Sequence, residues 1–476
     1  MTQTTVLDRY RDIVDDFDLF VEACNAPHHS TCWVSSSRNF GHELLQEAGA
    51  SVLSWNRDAY QNWKLDPSFA SAFLTGSVLI QEAVAMIPAL LTRPERGDLI
   101  LDMCAAPGNK TAQLAAAVGD AGGVVANDVS RSRLHILRGT VDRLGLANVF
   151  VTNYDARHFP DVDNTFDAVL ADVPCSCEGT SRKHSNVLRP LHPERRSELS
   201  HTQESILRAA IRLTRPGGRI VYSTCTYAPE ENEAILNRVI TQPEEEQQVR
   251  LEPIDLPDFR TSPGLNGWQG KRYDNSLRNS IRIWPHANDT GGFFVGVLEK
   301  LGHGTPPEQE LPSTARTNLA RVDAKSWPWS AFGLPPSALA GLACLETGGK
   351  YDRLCSSFAV PRALEYLSVG MIGLNRKSEA ARFSTALAQR MGVSAEAGIA
   401  EIRSDDVTSY FLRGLISTQD LKPPLGRTRL VIVRSGPMSL GLGFVSTESP
   451  AFVQSLFPKI WGGLNVQEWI GGMTAE

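Results

Sequence analysis

"LDMCAAPGNKTAQLA", residues 101–115, is the stretch from which the fold can be read outward. An apolar run ends in Asp102, a tight turn of small residues follows, and a helix-forming pattern takes over near Thr111. Small residues in such a turn let a ligand approach the backbone, and the N–H groups at a helix start can meet a carboxylate or phosphate. From Gly97 to Lys300 the same alternation recurs. The β-rich runs are DLILDMC, GGVVANDV, NVFVTN, FDAVLADV, GRIVYSTC, IRIWPH and GGFFVGVLEK, with helical patterns near 111–118, 130–144, 200–214 and 229–240. Strands separated by helix-length segments imply an α/β domain, a Rossmann-like parallel sheet with helices on both faces. No helix-length pattern separates the last two runs, so an antiparallel pair is expected to close the sheet.

The flanks read differently. Residues 1–90 are expected to form a mainly helical extension for RNA binding, with one strand-like stretch, TCWVSSS (31–37). The apolar SVLIQEAVAMIPALL (77–91) reads as one long helix that Pro88 kinks or ends. The wound domain is set at 91–300, a Pro- and Gly-rich linker at 301–316, and a C-terminal α+β domain at 317–476. Within the last, SEAARFSTALAQRMG (378–392) predicts a helix and RLVIVRSGPMSLGLGFVS (429–446) a hairpin. Two or three domains suit a chain of 476 residues.

Apolar residues at 42% and charged residues at 21% are ordinary for a globular chain, and no apolar run reaches membrane-spanning length. The first thirty residues show no presequence pattern, which predicts an intracellular protein of nucleus or cytoplasm. Eight scattered cysteines predict free thiols. A net charge of −6 confines any nucleic-acid contact to a local basic face. TSRKHSNVLRPLHPERR (180–196), with five Lys or Arg against one acid, either follows a phosphate backbone or is a solvated loop.

Asp128 ends the second β-run 20 residues after Gly108, the interval at which an acid reaches ribose hydroxyls in wound sheets. Asp155 follows the third run and is placed over the same crevice. The turn lacks both the GxGxxG of NAD sites and the GxxxxGK[ST] of P-loops. S-adenosylmethionine fits better than either, and with it a class I S-adenosylmethionine-dependent methyltransferase fold.

Ligands bind at the carboxyl edge of an open parallel sheet, where Asp172, Cys175 and Cys225 all fall. A thiol beside a methyl donor suits alkylation at a poorly nucleophilic carbon such as C5 of a pyrimidine. A thiolate adding at C6 makes C5 an enamine carbon able to attack, one hard step split into easier ones. A second thiol can assist loss of the C5 proton or product release, and Asp172 can hydrogen-bond the ring. Such a base must leave its stack, favouring single-stranded or loop substrates. Zinc binding by Cys175, Cys177 and Cys225 is the weaker reading, because the C-x-C pair has no second pair nearby, and no metal is expected.

LDMCAAPGNKT (101–111), DVPCSCEGTSRK (172–183), YSTCTYAPEENE (222–233) and RIWPHANDTGGFFVGVLEK (282–300) resemble the RNA (cytosine-5) methyltransferases of the Sun family, over about residues 75–300. The resemblance implies methylation of cytosine C5 in RNA, tRNA being favoured over rRNA, with GTSRK pointing to the eukaryotic-type tRNA enzymes. It implies Cys225 as nucleophile and Cys175 as the thiol that helps release product. It also implies S-adenosylmethionine contacts at Cys104, Ala105, Ala106, Pro107, Gly108, Asn109, Lys110, Asp128, Asp155 and Asp172. Asn109 stands where many members have Gly or Ser, and Cys177 where Gly or Ser is common. The C-terminal region resembles a PUA-like RNA-binding domain, and a monomer is favoured. The competing readings are a DNA cytosine-5 methyltransferase, whose nucleophile is the PC cysteine, and a non-catalytic RNA-binding scaffold.

Overall fold

The computed structural model describes residues 6–459, apart from 28, 36–39, 64–65, 243–248, 303–308, 311–319, 323–326, 336–337, 339, 347–348, 377–381, 426–427, 447–448 and 450. Most of the expected linker lies outside the described residues.

The central sheet contains β1 (Leu99–Asp102), β2 (Gly123–Asn127), β3 (Val149–Thr152), β4 (Phe166–Asp172), β5 (Thr214–Thr224), β6 (Ile281–Ile283) and β7 (Phe293–Lys300). Their spatial order is β6-β7-β5-β4-β1-β2-β3. The pairs β1–β2, β2–β3, β1–β4 and β4–β5 are parallel. As expected, the closing pair is antiparallel, and β7 also runs antiparallel to β5. Every residue of β1, β2 and β3 is buried, as strands covered on both faces require.

Side chains alternate between the two faces. Leu99 and Leu101 join one core with Ile206, Leu207 and Leu236, from α3 (Pro193–Leu213) and α4 (Glu233–Ile240). Ile100 joins the opposite core with Leu114, Leu134 and Leu137, from α1 (Asn109–Val118) and α2 (Arg131–Leu144). Ser130 caps α2 by accepting from Arg133 N–H, and Gly145, at φ +69°, ends it.

Three expectations are corrected. Residues 77–91 are not one helix: Val78–Ile80 is a strand paired with Thr31–Val34, and Pro88 sits in the first turn of a short helix, Ile87–Leu91, where its missing N–H costs nothing. Among the described residues before 92 helix outweighs strand, yet a four-stranded antiparallel sheet organises that region, because Thr31–Val34 found partners in the sequence-distant Asn56–Gln61 and Val78–Ile80. The helix expected from Pro229 starts at Glu233, residues 229–232 being a turn. Of the helix expected over 378–392, residues 378–381 lie outside the described residues; among the described ones the helix is Thr385–Met391, capped by Ser384, since Arg382–Phe383 pairs as strand with Met371–Asn375. The hairpin at 429–446 forms as expected, Leu430–Ser435 against Met438–Val445. Ser368–Val369 adds antiparallel to the edge of β3, so the C-terminal region shares the core of the central sheet, with Leu364 and Val369 packed beside Phe150.

Candidate active site

Ala105 N–H donates to Asn127 O at 2.8 Å, tying the turn after β1 to the end of β2, and Gly108 N–H donates to Ala105 O at 2.8 Å. Gly108 has φ +108°, and a Cβ there would sit 3.3 Å from Leu137 Cγ; both facts favour glycine. Asp128 is buried behind this turn, accepting from Ala106 N–H at 3.3 Å and Ser130 N–H at 2.9 Å and facing Arg133 at 3.2 Å. Thr111 Oγ1 donates to the buried Asp102 at 2.7 Å, and desolvation pushes that carboxyl up to about 7.

Lys110, in the first turn of α1, donates to Asp172 Oδ2 at 2.7 Å, while Ser223 Oγ donates to Asp172 Oδ1 at 2.8 Å. Burial alone lowers the Lys110 ammonium, but the charge and hydrogen bond of Asp172 outweigh it and hold the group above its ordinary range. A cavity of about 410 Å³ opens in front of this pair. Its floor is Asp102, Cys104–Pro107, Asn109 and Lys110, with Asp172 and Cys225 beside them. Ser30, Thr31 and Ile80–Glu82 of the N-terminal sheet form one wall, and Arg182–His184 with Gly291–Phe293 form another.

The two thiol-bearing loops meet at this cavity. Cys175 Sγ lies 3.3 Å from Cys225 Sγ and 3.9 Å from Cys177 Sγ. Three touching thiols do not all ionise. The Cys177 thiol is lowered first by its hydrogen bond with Cys175 and then by that with Cys225, against burial, with Arg133 and His184 adding to the lowering. Cys175 is raised by its hydrogen bonds to Cys177 and Cys225 and by burial. Cys225 is lowered by Cys175, but Cys177, burial and the charge of Asp172 together raise it.

Of the residues expected at the site, Cys104, Ala105, Ala106, Pro107, Asn109, Lys110, Asp172 and Cys225 line the cavity. Cys175 touches Cys225 from behind, and Gly108 and Asp128 brace the turn. Asp155 does not reach the cavity lining: Arg157 Nη2 donates to its carboxylate at 2.6 Å and holds it below the usual carboxylate range. The basic stretch 180–196 divides. The Arg182 side chain is 3% exposed, donating to Ala26 O and pairing with Asp289, and Arg196 faces Glu230 and Glu231. Lys183, Arg189 and Arg195 are the exposed cations among the described residues of the stretch.

Sequence reasoning missed Asp102 and the brace behind the thiols. Glu178, buried, accepts from Tyr10 O–H and from Thr226 Oγ1 at 3.2 Å, linking the N-terminal segment to both loops. Tyr10 and Phe20 pack with Tyr227 and Trp284 in one apolar cluster. Gly292 N–H donates to Gly179 O at 2.9 Å, and a Cβ on Gly292 would lie 2.0 Å from Tyr227 Cε1, which explains a glycine there. The one available signal was the aromatic spacing of the first thirty residues, which names no partner.

The strand order, with a small-residue turn after β1 and an acid at the end of β2, defines a class I S-adenosylmethionine-dependent methyltransferase. The turn fits that cofactor: Cys104–Pro107 face the cavity with short side chains and little between ligand and backbone. The family described as 16S rRNA methyltransferase RsmB/F matches residues 89–299. The tRNA (cytosine(49)-C(5))-methyltransferase of Pyrococcus abyssi is 37% identical over 225 residues, 47% of this chain and 71% of that one. The ribosomal RNA small subunit methyltransferase F of Erwinia tasmaniensis is 36% identical over 239 residues, and the chain spans about half of it, 48%, with 50% of this chain covered. A methyltransferase homologue from Pyrococcus horikoshii superposes with a TM-score of 0.54 at 27% identity, covering 62% of this chain and 94% of that one. The chain belongs to this family of RNA cytosine-C5 methyltransferases.

Proposed function

We propose that this chain methylates C5 of cytosine in RNA, tRNA being the favoured species, through a covalent bond between Cys225 and C6 of the base. The observation that carries the reading is the convergence of Cys225 with the Lys110–Asp172 pair on one cavity, with Cys175 3.3 Å behind Cys225. S-adenosylmethionine, when bound at the turn after β1, supplies an electrophilic methyl group. Cys225 releases its proton to solvent and adds to C6 as the thiolate, leaving C5 able to attack. Lys110 and Asp172, held by each other and by Ser223, supply fixed charges and hydrogen bonds beside the ring where electron density builds on addition. Cys175 then assists the step in which the C5 proton leaves and the Cys225–C6 bond breaks. Asp128 is a proposed cofactor contact that acts also through the turn it braces, and Asp155, outside the cavity lining and held by Arg157, is proposed as a contact of the cofactor's far end only. The C-terminal region, resembling a PUA-like domain, is proposed to hold the RNA.

That Cys225 rather than Cys175 lines the cavity supports the RNA-type assignment over the DNA-type one. The test is denaturing electrophoresis of Cys175→Ala protein incubated with tRNA or ribosomal RNA and S-adenosylmethionine. A retarded protein–RNA adduct is expected, absent from the double variant that also lacks Cys225. An adduct that needs Cys175 and survives loss of Cys225 would overturn the assignment, and methylation of rRNA alone would replace the substrate.

A further inference from the structure

We propose that Cys175, Cys177 and Cys225 together form a binding site for a thiophilic divalent cation of the zinc class, and that its occupation masks Cys225. All three sulfurs lie within 4.8 Å of one another. Metal–sulfur bonds of about 2.3 Å in tetrahedral geometry put sulfurs roughly 3.8 Å apart. The separations of 3.3 and 3.9 Å from Cys175 bracket that figure. The C-x-C spacing alone gives no such site, because the third donor comes from another strand end, fifty residues on.

The donors are held in place before any ion arrives. Ser176 N–H donates to Glu231 Oε2 at 2.9 Å and Ser176 Oγ meets Thr226 Oγ1 at 2.7 Å, locking the residue between Cys175 and Cys177. Gly179 N–H donates to Cys225 O at 2.9 Å, fixing one loop on the other. Cys177 has φ +62°, a left-handed conformation that residues with a Cβ seldom adopt, and the turn brings its sulfur back beside Cys175. Three protein ligands leave a fourth position for water, as in exchangeable rather than closed structural sites. All-sulfur donors select zinc or cadmium against magnesium and calcium. Binding forms three metal–sulfur bonds and releases the thiol protons to solvent, with no change of oxidation state. The masking, unlike the binding, rests on the function proposed above: a metal-bound Cys225 cannot add to C6.

The experiment titrates Cd²⁺, then competing Zn²⁺, into the full chain without RNA or methyl donor, following thiolate-to-cadmium charge-transfer absorption. One ion per chain is expected, with affinity falling about 100-fold or more in Cys177→Ser. Cys177→Gly, which suits the left-handed backbone, should lose affinity equally and guards against misfolding of the serine variant. Equal affinity in wild type and both variants would overturn the site, as would a folded wild-type chain with no charge-transfer absorption. Cysteine-dependent cadmium binding in a chain that methylates no RNA would leave the metal site standing while the proposed function falls.

Discussion

The two thiol loops end neighbouring strands, yet they are held by opposite means. The loop of Cys225 is built from its own sequence. Thr224 Oγ1 donates to Asn232 Oδ1 at 2.6 Å, Asn232 Nδ2 donates to Thr226 O at 3.0 Å, and Tyr222 O–H donates to Glu231 O at 2.6 Å, all within residues 222–232. The loop of Cys175 is held from outside. Its anchors are Glu231 on Ser176, Gln203 Nε2 on Pro174 O at 2.9 Å, and Tyr10 on Glu178, the last 168 residues away. A thiol braced mainly by its own loop, with Gly179 N–H on Cys225 O as the tie to its neighbour, depends least on distant elements, which suits the proposed nucleophile. A thiol held by tertiary contacts depends on elements the chain must assemble first.

The largest effect expected follows from chemistry. Cys225→Ala should lower methyl transfer by roughly 10⁴-fold or more, as loss of a covalent nucleophile does, with cofactor affinity by calorimetry nearly unchanged. Residual full activity would remove the role assigned to the local loop.

Next come two neighbours that serve different loops. Asn232 is fully buried and braces only the loop of Cys225. Asn232→Ala should slow adduct formation in single-turnover assays, with a stability loss of about 1–3 kcal/mol from stranded buried partners. Glu231 is also fully buried, and its Oε2 accepts from Ser176 N–H and from Gln203 Nε2 at 3.0 Å. Glu231→Gln should spare the first turnover and slow steady-state turnover by roughly 10-fold, so that adduct accumulates, a change equal to about 1.4 kcal/mol. Equal slowing of both phases in both variants would show that the loops move as one and that the contrast has no kinetic meaning.

The same contrast explains what the sequence made legible. The wound sheet, its order of strands and helices, the turn after β1 and Cys225 are encoded in short segments with strong period and turn chemistry, and all were readable. The convergence of Cys177 with the other two sulfurs, the brace from Tyr10 through Glu178, and the wall made by Thr31 and Ile80–Glu82 are pairings between distant segments. No local pattern announces them. Residues 77–91 failed for the related reason that an apolar run of three suits a strand or a helix until its partner is known, and Thr31–Val34 was that partner. The stretch 180–196 read as either a phosphate-following or a solvated segment, and the burial of Arg182 within it was hidden because charge in a sequence carries no sign of burial.

The smallest expected effect sharpens the outside brace. Tyr10→Phe keeps the aromatic packing against Tyr227 and removes one donor from the buried Glu178, leaving Thr226 Oγ1. Stability should fall by about 1–3 kcal/mol near neutral pH, with methylation nearly intact because Cys225 has its own support. The loss should depend on pH. Burial raises the Glu178 carboxyl above its ordinary value, and the Tyr10 hydrogen bond partly opposes that rise. A carboxyl raised in the folded state contributes stability that is complete below its unfolded value of 4.5 and disappears as pH climbs through its folded value. Removing Tyr10 O–H lifts the folded value further, so wild type and variant should differ least in acid and most above neutrality. Denaturation midpoints measured at several pH values check this. A difference that stays constant with pH would show that Glu178 keeps its charge without Tyr10, and that the loop of Cys175 leans on the N-terminal segment through packing alone.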